Sequence, residues 1–511
     1  MRRVRVERAA GVGAGLSAGT GAVGTGRTGC TTGAEVHDRD NGSPGTDTET
    51  DTDTGTGTET GAEADAGTDT GAGVPGSPAT AGAPGDTAAP AGRRNLAAAT
   101  AGNALEWYDW NVYALMAPFF ATKFFVTGGV GTALMSSLAV FAVGFVARPL
   151  GGLLMGVISD RRGRRTAMLL SIALMAAGSL VIGLTPDYAT AGVLAPVLLV
   201  TARLVQGLSA GGEFAAAAAY LVESAPSGRR GLYSSFLYIG NLTGTLLASG
   251  LGALLALLLS ADAMASWGWR VPFLVGGVAA LALGVLRRGM AETLDGDTRR
   301  AASGEGLFTP LRRNARAVLT LCGLTAGATV VYYTWIVGLP AHAAAEAGVS
   351  RGNALLATTL AQIVLLAALP AAGMLADRIG PRRMVMVFAG GFAVAGVPLH
   401  ALAGHSFGGL LTAEVTGLLL FSGYGATAAL VMAELFPRGA RGTGIGLPYA
   451  ATVAAFGGTA PYVGLWAADH APSAAFPAYV SVLCAVTFLF ACFRLAPDGP
   501  APSRPRGRPL G

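Results

Sequence analysis

The sequence predicts an all-α membrane protein with twelve transmembrane helices in two pseudo-repeated halves of six. The 511-residue chain is 52% hydrophobic and only 13% charged. Its apolar residues form runs of about 20, the length of a helix that crosses a bilayer. The backbone of such a run must satisfy its own hydrogen bonds in lipid, which favours helices. One charged loop sequence also occurs twice, and Asp160 and Asp377 of its two copies are 217 positions apart.

The repeated loop is the most informative motif. Its first copy reads Gly156-Val-Ile-Ser-Asp160-Arg161-Arg162-Gly163-Arg164-Arg165 and its second Gly373-Met-Leu-Ala-Asp377-Arg378-Ile379-Gly380-Pro381-Arg382-Arg383. A duplicated half-protein with matching loops is typical of secondary transporters. Glycines allow close helix packing, aspartates can cap a helix or pair with arginine, and the arginines can lock an inner gate. We therefore predict gating residues Gly156, Asp160, Arg161, Gly163, Arg164, Arg165, Gly373, Asp377, Arg378, Gly380 and Arg382.

The apolar runs place the twelve spans in order. Those of the first half lie near residues 96–121, 133–158, 166–185, 193–222, 232–259 and 270–288. Those of the second half lie near residues 316–340, 354–376, 384–403, 408–434, 442–467 and 474–494. We expect an N-terminal half of residues 93–288, a cytoplasmic linker of residues 289–315 and a C-terminal half of residues 316–495. Residues 1–92 and 496–511 are expected to be disordered tails, because their composition cannot bury a core.

Arginine is unevenly distributed between the loops. One set of loops holds Arg161–Arg165, Arg229–Arg230, Arg378–Arg383 and Arg438–Arg441, whereas the other holds little beyond Lys123 and Arg351. The positive-inside rule then places both termini in the cytoplasm. The net charge of +5 arises mainly in these short loops and does not indicate nucleic-acid binding. The four cysteines show neither metal nor disulfide spacing, so we expect no metal and no cofactor.

Charged side chains within the spans are the first functional candidates, because each costs ~2.5–3.5 kcal/mol at the centre of a helix on insertion scales. Glu106 and Asp109 share a face of span 1, and Arg203, Gln206 and Glu213 form a stripe on span 4. We predict that proton coupling uses Asp109, Glu106, Arg203 and Glu213. The alternative that Asp109, Arg203 and Glu213 only hold the two spans together remains open.

Two further charges lie within spans. Arg148 could bind an anion, but pairing with a carboxylate is favoured. Glu414 could line an outer vestibule, but a position at the membrane interface is favoured. Polar and aromatic residues of spans 1, 4, 5, 7, 10 and 11 are the predicted substrate contacts: Asn103, Trp110, Tyr113, Arg203, Gln206, Tyr238, Asn241, Tyr332, Tyr333, Trp335, Tyr424 and Tyr449. The segment Gly457-Gly458-Thr459-Ala460-Pro461 predicts a break in span 11.

At these residues the chain resembles the major facilitator superfamily. The repeated loop is highly specific for that superfamily. The segment from Arg203 to Glu213 resembles its span-4 motif in the form typical of the metabolite:proton symporter family. The segments Gly102–Asp109, Trp267–Phe273 and Phe456–Pro461 are also typical of that family. The resemblance covers about residues 95–495 and is greatest to the 2-oxoglutarate permease type. It implies a central site between two halves, alternating access driven by proton entry, and a multi-pass location in a bacterial plasma membrane.

The sequence therefore predicts a proton-coupled symporter, not an enzyme, which imports a mono- or dicarboxylate such as 2-oxoglutarate. Arg203 and Arg148 are the buried cations available to hold an acid. The expected partners are this metabolite, protons and lipid, and one chain is expected to work as a monomer. Three alternatives remain: a symporter of betaine or proline with an aromatic cage of Trp110, Tyr113 and Trp335, an exporter, and a membrane sensor or enzyme.

Overall fold

The computed structural model describes residues 89–125, 129–304, 306–346 and 348–497. The predicted tails fall almost wholly outside these ranges. Within them, the first half contains six long helices, α1 (Ala89–Phe124), α2 (Gly129–Arg162), α3 (Arg164–Leu184), α4 (Leu194–Glu223), α5 (Arg230–Leu258) and α6 (Arg270–Arg287). Each contains one apolar run found in the sequence. The predicted all-α membrane fold with two six-helix halves is confirmed.

The second half repeats this arrangement with three interrupted helices. Helix α7 runs through Ala315–Tyr333, a π-helical turn at Thr334–Gly338 and Leu339–Glu346. Helices α8 (Arg351–Ile379), α9 (Pro381–Ala403) and α12 (Ala475–Arg494) are continuous. Helix α10 comprises Phe407–Gly425 and Ala428–Glu434, and α11 comprises Arg441–Thr452, a π-helical turn at Val453–Gly457 and Ala460–His470. The predicted break in span 11 is therefore present, next to its Gly-Gly pair.

Ten helices in the described ranges are long and apolar enough to cross a membrane. Helices α1 and α11 fall outside this set for physical reasons. Helix α1 carries Asn103, Glu106 and Asp109 in its middle, and α11 contains glycines, Pro448 and its π-helical break. The two helices that are least suited to lipid are thus the ones that supply polar groups and irregular backbone to the protein interior.

Close backbone contacts join the two halves. Helix α2 packs against α11, and α5 packs against α8. A Cβ atom on Gly156 would lie 2.6 Å from the Gly442 carbonyl oxygen, and one on Gly373 would lie 2.8 Å from the Gly231 carbonyl oxygen. The glycine of each loop copy therefore contacts a glycine of the opposite half. Both contacts lie near the end of the molecule that carries the repeated loops, which we call the arginine-rich face.

The linker between the halves includes the helices Gly296–Ser303 and Thr309–Arg313. Asp295 caps the first of them by accepting hydrogen bonds from the Thr298 amide and hydroxyl, both at 2.8 Å. Gly439, at the start of the connection to α11, packs against Thr298. The linker helix thus lies against chain segments of the arginine-rich face.

The linker cap should be sensitive to acid. The Thr298 hydrogen bonds lower the pKa of Asp295, so the cap stabilises the helix above the usual aspartate pKa and is lost as the pH falls through the lowered value. We expect Asp295→Ala to speed tryptic cleavage at Arg299 and Arg300 about fivefold, as loss of one N-cap implies. Asp297→Ala is the control, because Asp297 forms only an exposed ion pair with Arg300. Equal cleavage rates in the two variants would contradict the capping role.

Candidate substrate and proton site

The polar residues of α1 lie on the side of the helix that faces the rest of the protein. Asn103, Glu106, Trp110 and Tyr113 follow one another at intervals of three or four residues, and Asp109 lies three residues after Glu106, which places all five along one broad face. All five are buried. Helix α1 packs against α2, α4, α5 and α6, so these side chains project into the N-terminal half and towards its boundary with the other half.

A chain of hydrogen bonds links Asp109 to Arg203. The Arg203 Nη1 atom donates to Gln206 Oε1 at 2.9 Å, and Gln206 Nε2 donates to Asp109 Oδ2 at 2.6 Å. The hydroxyl of Ser179 on α3 donates to the other Asp109 oxygen. Each carboxylate oxygen of Asp109 thus accepts a hydrogen bond from a neutral donor, and neither of these contacts is an ion pair that a proton on Asp109 would break.

Arg148 forms a separate buried pair with Glu106. Its Nη2 atom lies 3.3 Å from Glu106 Oε1, and the two side chains are only 2% and 4% exposed. The guanidinium lies over the rings of Trp107 and Trp110, at 5.5 and 4.9 Å from their centroids. Arg148 Nη1 and Glu106 Oε2 have no hydrogen-bond partner among the described residues. The favoured expectation for Arg148, a pair with a carboxylate, matches this geometry, yet the pair is incomplete.

Aromatic and polar side chains from both halves surround this pair. The Tyr332 hydroxyl of α7 donates to Asn241 Oδ1 of α5 at 3.0 Å, and Tyr332 also contacts the Trp107 ring. Tyr449 of α11 stacks on Phe214 of α4 with ring centroids 3.8 Å apart. The Arg148 guanidinium lies over the Trp107 ring, which contacts Tyr332 of the other half. The Arg148 pair therefore lies where the two halves meet.

Several polar atoms in this region are buried without a hydrogen bond to any described residue. They are Asn103 Oδ1, Glu106 Oε2, Trp107 Nε1, Arg148 Nη1 and Tyr333 Oη. Buried polar groups are normally satisfied, and an unsatisfied one costs about 1–3 kcal/mol. A concentration of donors and acceptors of this kind at a domain boundary is the expected lining of a polar ligand site.

Glu213 lies in a different network from the one predicted with Arg203. It pairs with Arg287 of α6 at 2.5 Å, and Arg287 also donates to the Met168 carbonyl oxygen of α3 at 3.0 Å. Arg203 and Glu213 are ten residues apart on α4, which corresponds to a rise of roughly 15 Å along the helix. One arginine therefore cannot interact with Glu213 and with the Asp109 network at the same time. Arg287 was not identified from the sequence, because an arginine beside Arg288 at the end of a span resembles an orientation signal.

Other predicted substrate residues have different surroundings. Tyr238 and Tyr424 pack against Phe421 and against each other. Trp335 lies within the C-terminal half, where its Nε1 donates to the Ala413 carbonyl oxygen at 3.0 Å and its ring contacts Phe392. Trp335 thus packs within the C-terminal half, whereas Trp110 and Tyr113, the other two residues of the predicted aromatic cage, lie on α1 of the N-terminal half.

Each aspartate of the repeated loops caps a helix of the opposite half. Asp160 accepts hydrogen bonds from the amides of Gly442 and Thr443 at the start of α11, both at 2.8 Å. Asp377 accepts from the amides of Gly231 and Leu232 at the start of α5, at 2.6 and 3.0 Å. Negative charge at a helix N-terminus is stabilising. The two copies therefore hold the halves together at the arginine-rich face in a pseudo-symmetric way.

The arginines of the two copies are not equivalent. Arg164 is fully buried and pairs with Asp160 at 2.6 Å and Glu223 at 3.4 Å, and Arg441 reaches the same Glu223 from the other half. In the second copy, Pro381 stands in the position of Arg164, and Arg382 donates instead to carbonyl oxygens of α12. Glu223, the centre of the first cluster, was not singled out from the sequence.

The remaining predicted gate residues have structural or peripheral positions. Gly163 and Gly380 have φ angles of 107° and 97°, which favour glycine. Arg161 lines a small cavity with the linker, Arg165 donates to the Arg288 carbonyl oxygen, and Arg378 is exposed. Of the predicted gate residues, Gly156, Gly373, Asp160, Asp377 and Arg164 thus make most of the close contacts between the halves.

Glu414 also differs from expectation. Its side chain is fully buried between α10 and α8, where it accepts a hydrogen bond from the Thr358 hydroxyl at 2.6 Å. The favoured position at the membrane interface is therefore wrong. The sequence could not distinguish the two positions, because Glu414 lies only two turns from the start of α10, where a long side chain could also have reached the interface.

Comparison with known proteins identifies the family. Residues 95–294 match the model of the sugar (and other) transporter family, and residues 321–510 match that of the major facilitator superfamily. The alpha-ketoglutarate permease of Escherichia coli (strain K12) is 39% identical over 77% of this chain and 91% of its own. The citrate-proton symporter of Klebsiella pneumoniae is 31% identical over 77% and 89%, respectively. The proline/betaine transporter of Salmonella typhimurium (strain LT2) is 30% identical over 77% and 81%.

Solved structures agree on the fold. The proton:xylose symporter XylE bound to 6-bromo-6-deoxy-D-glucose superposes with a TM-score of 0.64 at 18% identity, over 79% of this chain and 95% of that one. FucP in its outward conformation gives a TM-score of 0.58 at 18% identity, over 78% and 98%. The chain has two six-helix halves with a polar centre between them, and a relative is similar to it over most of the length of both sequences. This chain therefore belongs to the major facilitator superfamily and is a multi-pass membrane transporter rather than an enzyme.

Proposed function

We propose that this transporter is a proton-coupled symporter that imports a small mono- or dicarboxylate such as 2-oxoglutarate, with Arg148 as the anchor for a substrate carboxylate. The observation that carries the proposal is the incomplete Arg148–Glu106 pair at the meeting point of the halves. A guanidinium presents a planar fork of N–H donors that matches a carboxylate. Arg148 uses one long hydrogen bond to Glu106 and keeps Nη1 available.

In this proposal, Glu106 competes with the substrate carboxylate for Arg148. While Glu106 is ionised, it neutralises the buried guanidinium, which would otherwise be costly at this depth. A proton on Glu106 weakens the pair and leaves Arg148 to a substrate carboxylate. Asp109, with its neutral hydrogen-bond donors, is the second proton acceptor, and Arg203 lies at the other end of its network. Proton entry and substrate binding are thereby linked in one region.

The acid-transporting relatives support a carboxylate substrate, since two of them are named for alpha-ketoglutarate and citrate. The proline/betaine relatives keep a zwitterion as the second candidate. Against the aromatic-cage version of that candidate, Arg148 and Arg203 each lie 4.9 Å from the Trp110 ring. The protein's own cations therefore occupy the aromatic surface that a quaternary ammonium group would need.

We also propose an orientation in the membrane and a transporting unit. The arginine-rich face lies in the bacterial cytoplasm, following the positive-inside rule, with both termini on that side. One chain contains both halves and is the transporting unit. In this orientation, the contacts that Asp160 and Asp377 make between the halves would close the central site to the cytoplasm.

Substitution of Arg148 tests the substrate anchor. We expect Arg148→Gln to weaken 2-oxoglutarate binding by roughly 10- to 100-fold, because one hydrogen bond to a charged group is worth about 1.5–3 kcal/mol. Arg148→Lys should bind at an intermediate level, since lysine keeps the charge but loses the fork. Binding is measured by calorimetry on purified protein. Arg382→Lys is the control, because Arg382 contacts α12 carbonyl groups away from the site. Wild-type affinity in Arg148→Gln would contradict the proposal.

A further inference from the structure

The C-terminal half contains a buried acid that the central site does not use. Glu414 of α10 is fully buried, and its Oε1 atom accepts a hydrogen bond from Thr358 Oγ1 of α8 at 2.6 Å. Its Oε2 atom has no hydrogen-bond partner, and no ion pair of the described residues includes Glu414. It lies seven residues from the start of α10, roughly 10 Å from the face opposite the arginine-rich one.

No ion pair joins Glu414 to a charged side chain in the part of the chain that the structure describes. On α7, the Trp335 ring packs against Gly417 of α10. The titratable groups towards the same end of the half include His342 of α7 and His400 of α9, whose rings contact each other at 4.4 Å, and His405, whose Nδ1 lies 2.7 Å from the Ala401 carbonyl oxygen. From α5, Tyr238 reaches the Phe421 ring of α10. On α8, Gln362 is buried one turn beyond Thr358, and its Oε1 also lacks a hydrogen-bond partner in the described part of the chain. An ionised carboxylate in such a place is expensive.

Thr358 has a second acceptor, which makes the contact reversible. Its hydroxyl lies 3.1 Å from the Ala354 carbonyl oxygen as well as 2.6 Å from Glu414 Oε1. When Glu414 is ionised, the hydroxyl donates its hydrogen to the carboxylate. When Glu414 carries a proton, the acid donates to Thr358 Oγ1 and the threonine hydrogen turns to Ala354. Both protonation states therefore keep the hydrogen bond between Glu414 Oε1 and Thr358 Oγ1 without movement of the helices.

We propose that Glu414 and Thr358 form a second proton-binding site, within the C-terminal half and separate from the central site. The proton comes from the water at the face opposite the arginine-rich one and returns there or continues with the transport cycle. Proton binding itself is independent of the substrate. Only the consequence for transport, an additional dependence of uptake on external pH, rests on the proposed function.

Infrared spectroscopy of the full-length protein in lipid, recorded during a pH titration without substrate, tests proton binding. Wild type should show the C=O band of a buried carboxylic acid that disappears as the pH rises. Glu414→Gln should lack the component of this band that Glu414 contributes, and Thr358→Val should shift the frequency of that component, because one hydrogen bond is lost. Asp187→Asn, an exposed acid that caps a short helix between α3 and α4, should retain the band. Identical titrations of wild type, Glu414→Gln and Thr358→Val would overturn the proposal.

Transport measurements test the consequence. Glu414→Gln should bind substrate with unchanged affinity but carry fewer protons per substrate, and its uptake should vary less with external pH. A pH profile that superimposes on the wild-type profile would overturn the transport role. If stabilisation by sodium ions appears in wild type and disappears in Glu414→Gln, the site holds a metal cation and the proton assignment is wrong. Failure of Arg148→Gln to weaken 2-oxoglutarate binding would affect only the central site, so the two proposals fail separately.

Discussion

Asp109→Asn is expected to abolish proton-driven accumulation of substrate while exchange of substrate across the membrane continues. Asparagine can accept from Gln206 through its Oδ1 atom and donate from its Nδ2 atom to the Ser179 hydroxyl oxygen, so that both contacts persist, but it cannot take up a proton. If Asp109 carries one coupled proton, its loss removes about tenfold of accumulation for each unit of pH gradient, since one pH unit is equivalent to about 1.4 kcal/mol. Uptake and counterflow in proteoliposomes, with and without an inward proton gradient, measure both quantities in one preparation.

Asp187→Asn is the matched control for this experiment. It makes the same chemical change on an exposed acid outside the network, and it should accumulate substrate like wild type. Gradient-driven accumulation that persists in Asp109→Asn would show that the coupling proton binds elsewhere, and Glu106 would be the next residue to replace. Loss of counterflow as well as accumulation would indicate that Asp109 is needed for binding or folding rather than for coupling.

Asp160→Asn and Asp377→Asn are expected to open the arginine-rich face. Each aspartate accepts two backbone hydrogen bonds from a helix of the opposite half. Loss of one charged hydrogen bond costs about 1.5–3 kcal/mol, which shifts the equilibrium towards the open conformation by roughly 10- to 100-fold. The double variant should be the most open. Spin labels at Arg162 and Arg438, in a cysteine-free background, report the distance between the two halves at this face.

The first loop copy should have the larger effect of the two. Asp160 also pairs with the buried Arg164, which in turn contacts Glu223, whereas Pro381 replaces that arginine in the second copy. Asp160→Asn therefore leaves Arg164 with one fewer buried partner, and Asp377→Asn does not have this added cost. The exposed Asp187→Asn serves as the control at the other face. An unchanged distance distribution in the double variant would contradict the gating role of the aspartates.

The sequence was sufficient for the fold because its signals are local. Apolar runs of helical length, the charged linker and the repeated loop each depend on neighbouring residues, and together they predicted two six-helix halves. The break in α11 was equally local, since it follows from adjacent glycines. The polar face of α1 could be derived from a spacing of three and four residues. The structure adds that α1 and α11 are the two long helices outside the set that is long and apolar enough to cross a membrane.

The pairings of the site could not be predicted, because they depend on helix rotation and on contacts between distant residues. The sequence predicts Glu213 and Arg203 on one stripe, but Glu213 reaches Arg287, 74 residues later. Glu223 and Arg441, which meet across the two halves, are 218 residues apart. Arginines at span ends look alike in a sequence whether they mark orientation or enter the core. Only the packed helices distinguish Arg287 and Arg164 from Arg378.

Proton movement that accompanies substrate entry is the most direct test of the central claim. Proteoliposomes containing a pH-sensitive dye receive 2-oxoglutarate outside, without an imposed pH gradient, and the internal pH is recorded together with uptake of labelled substrate. The account predicts that the lumen acidifies in proportion to uptake in wild type and Asp187→Asn, and that acidification is lost in Asp109→Asn. Uptake by wild type without any acidification would contradict proton-coupled symport.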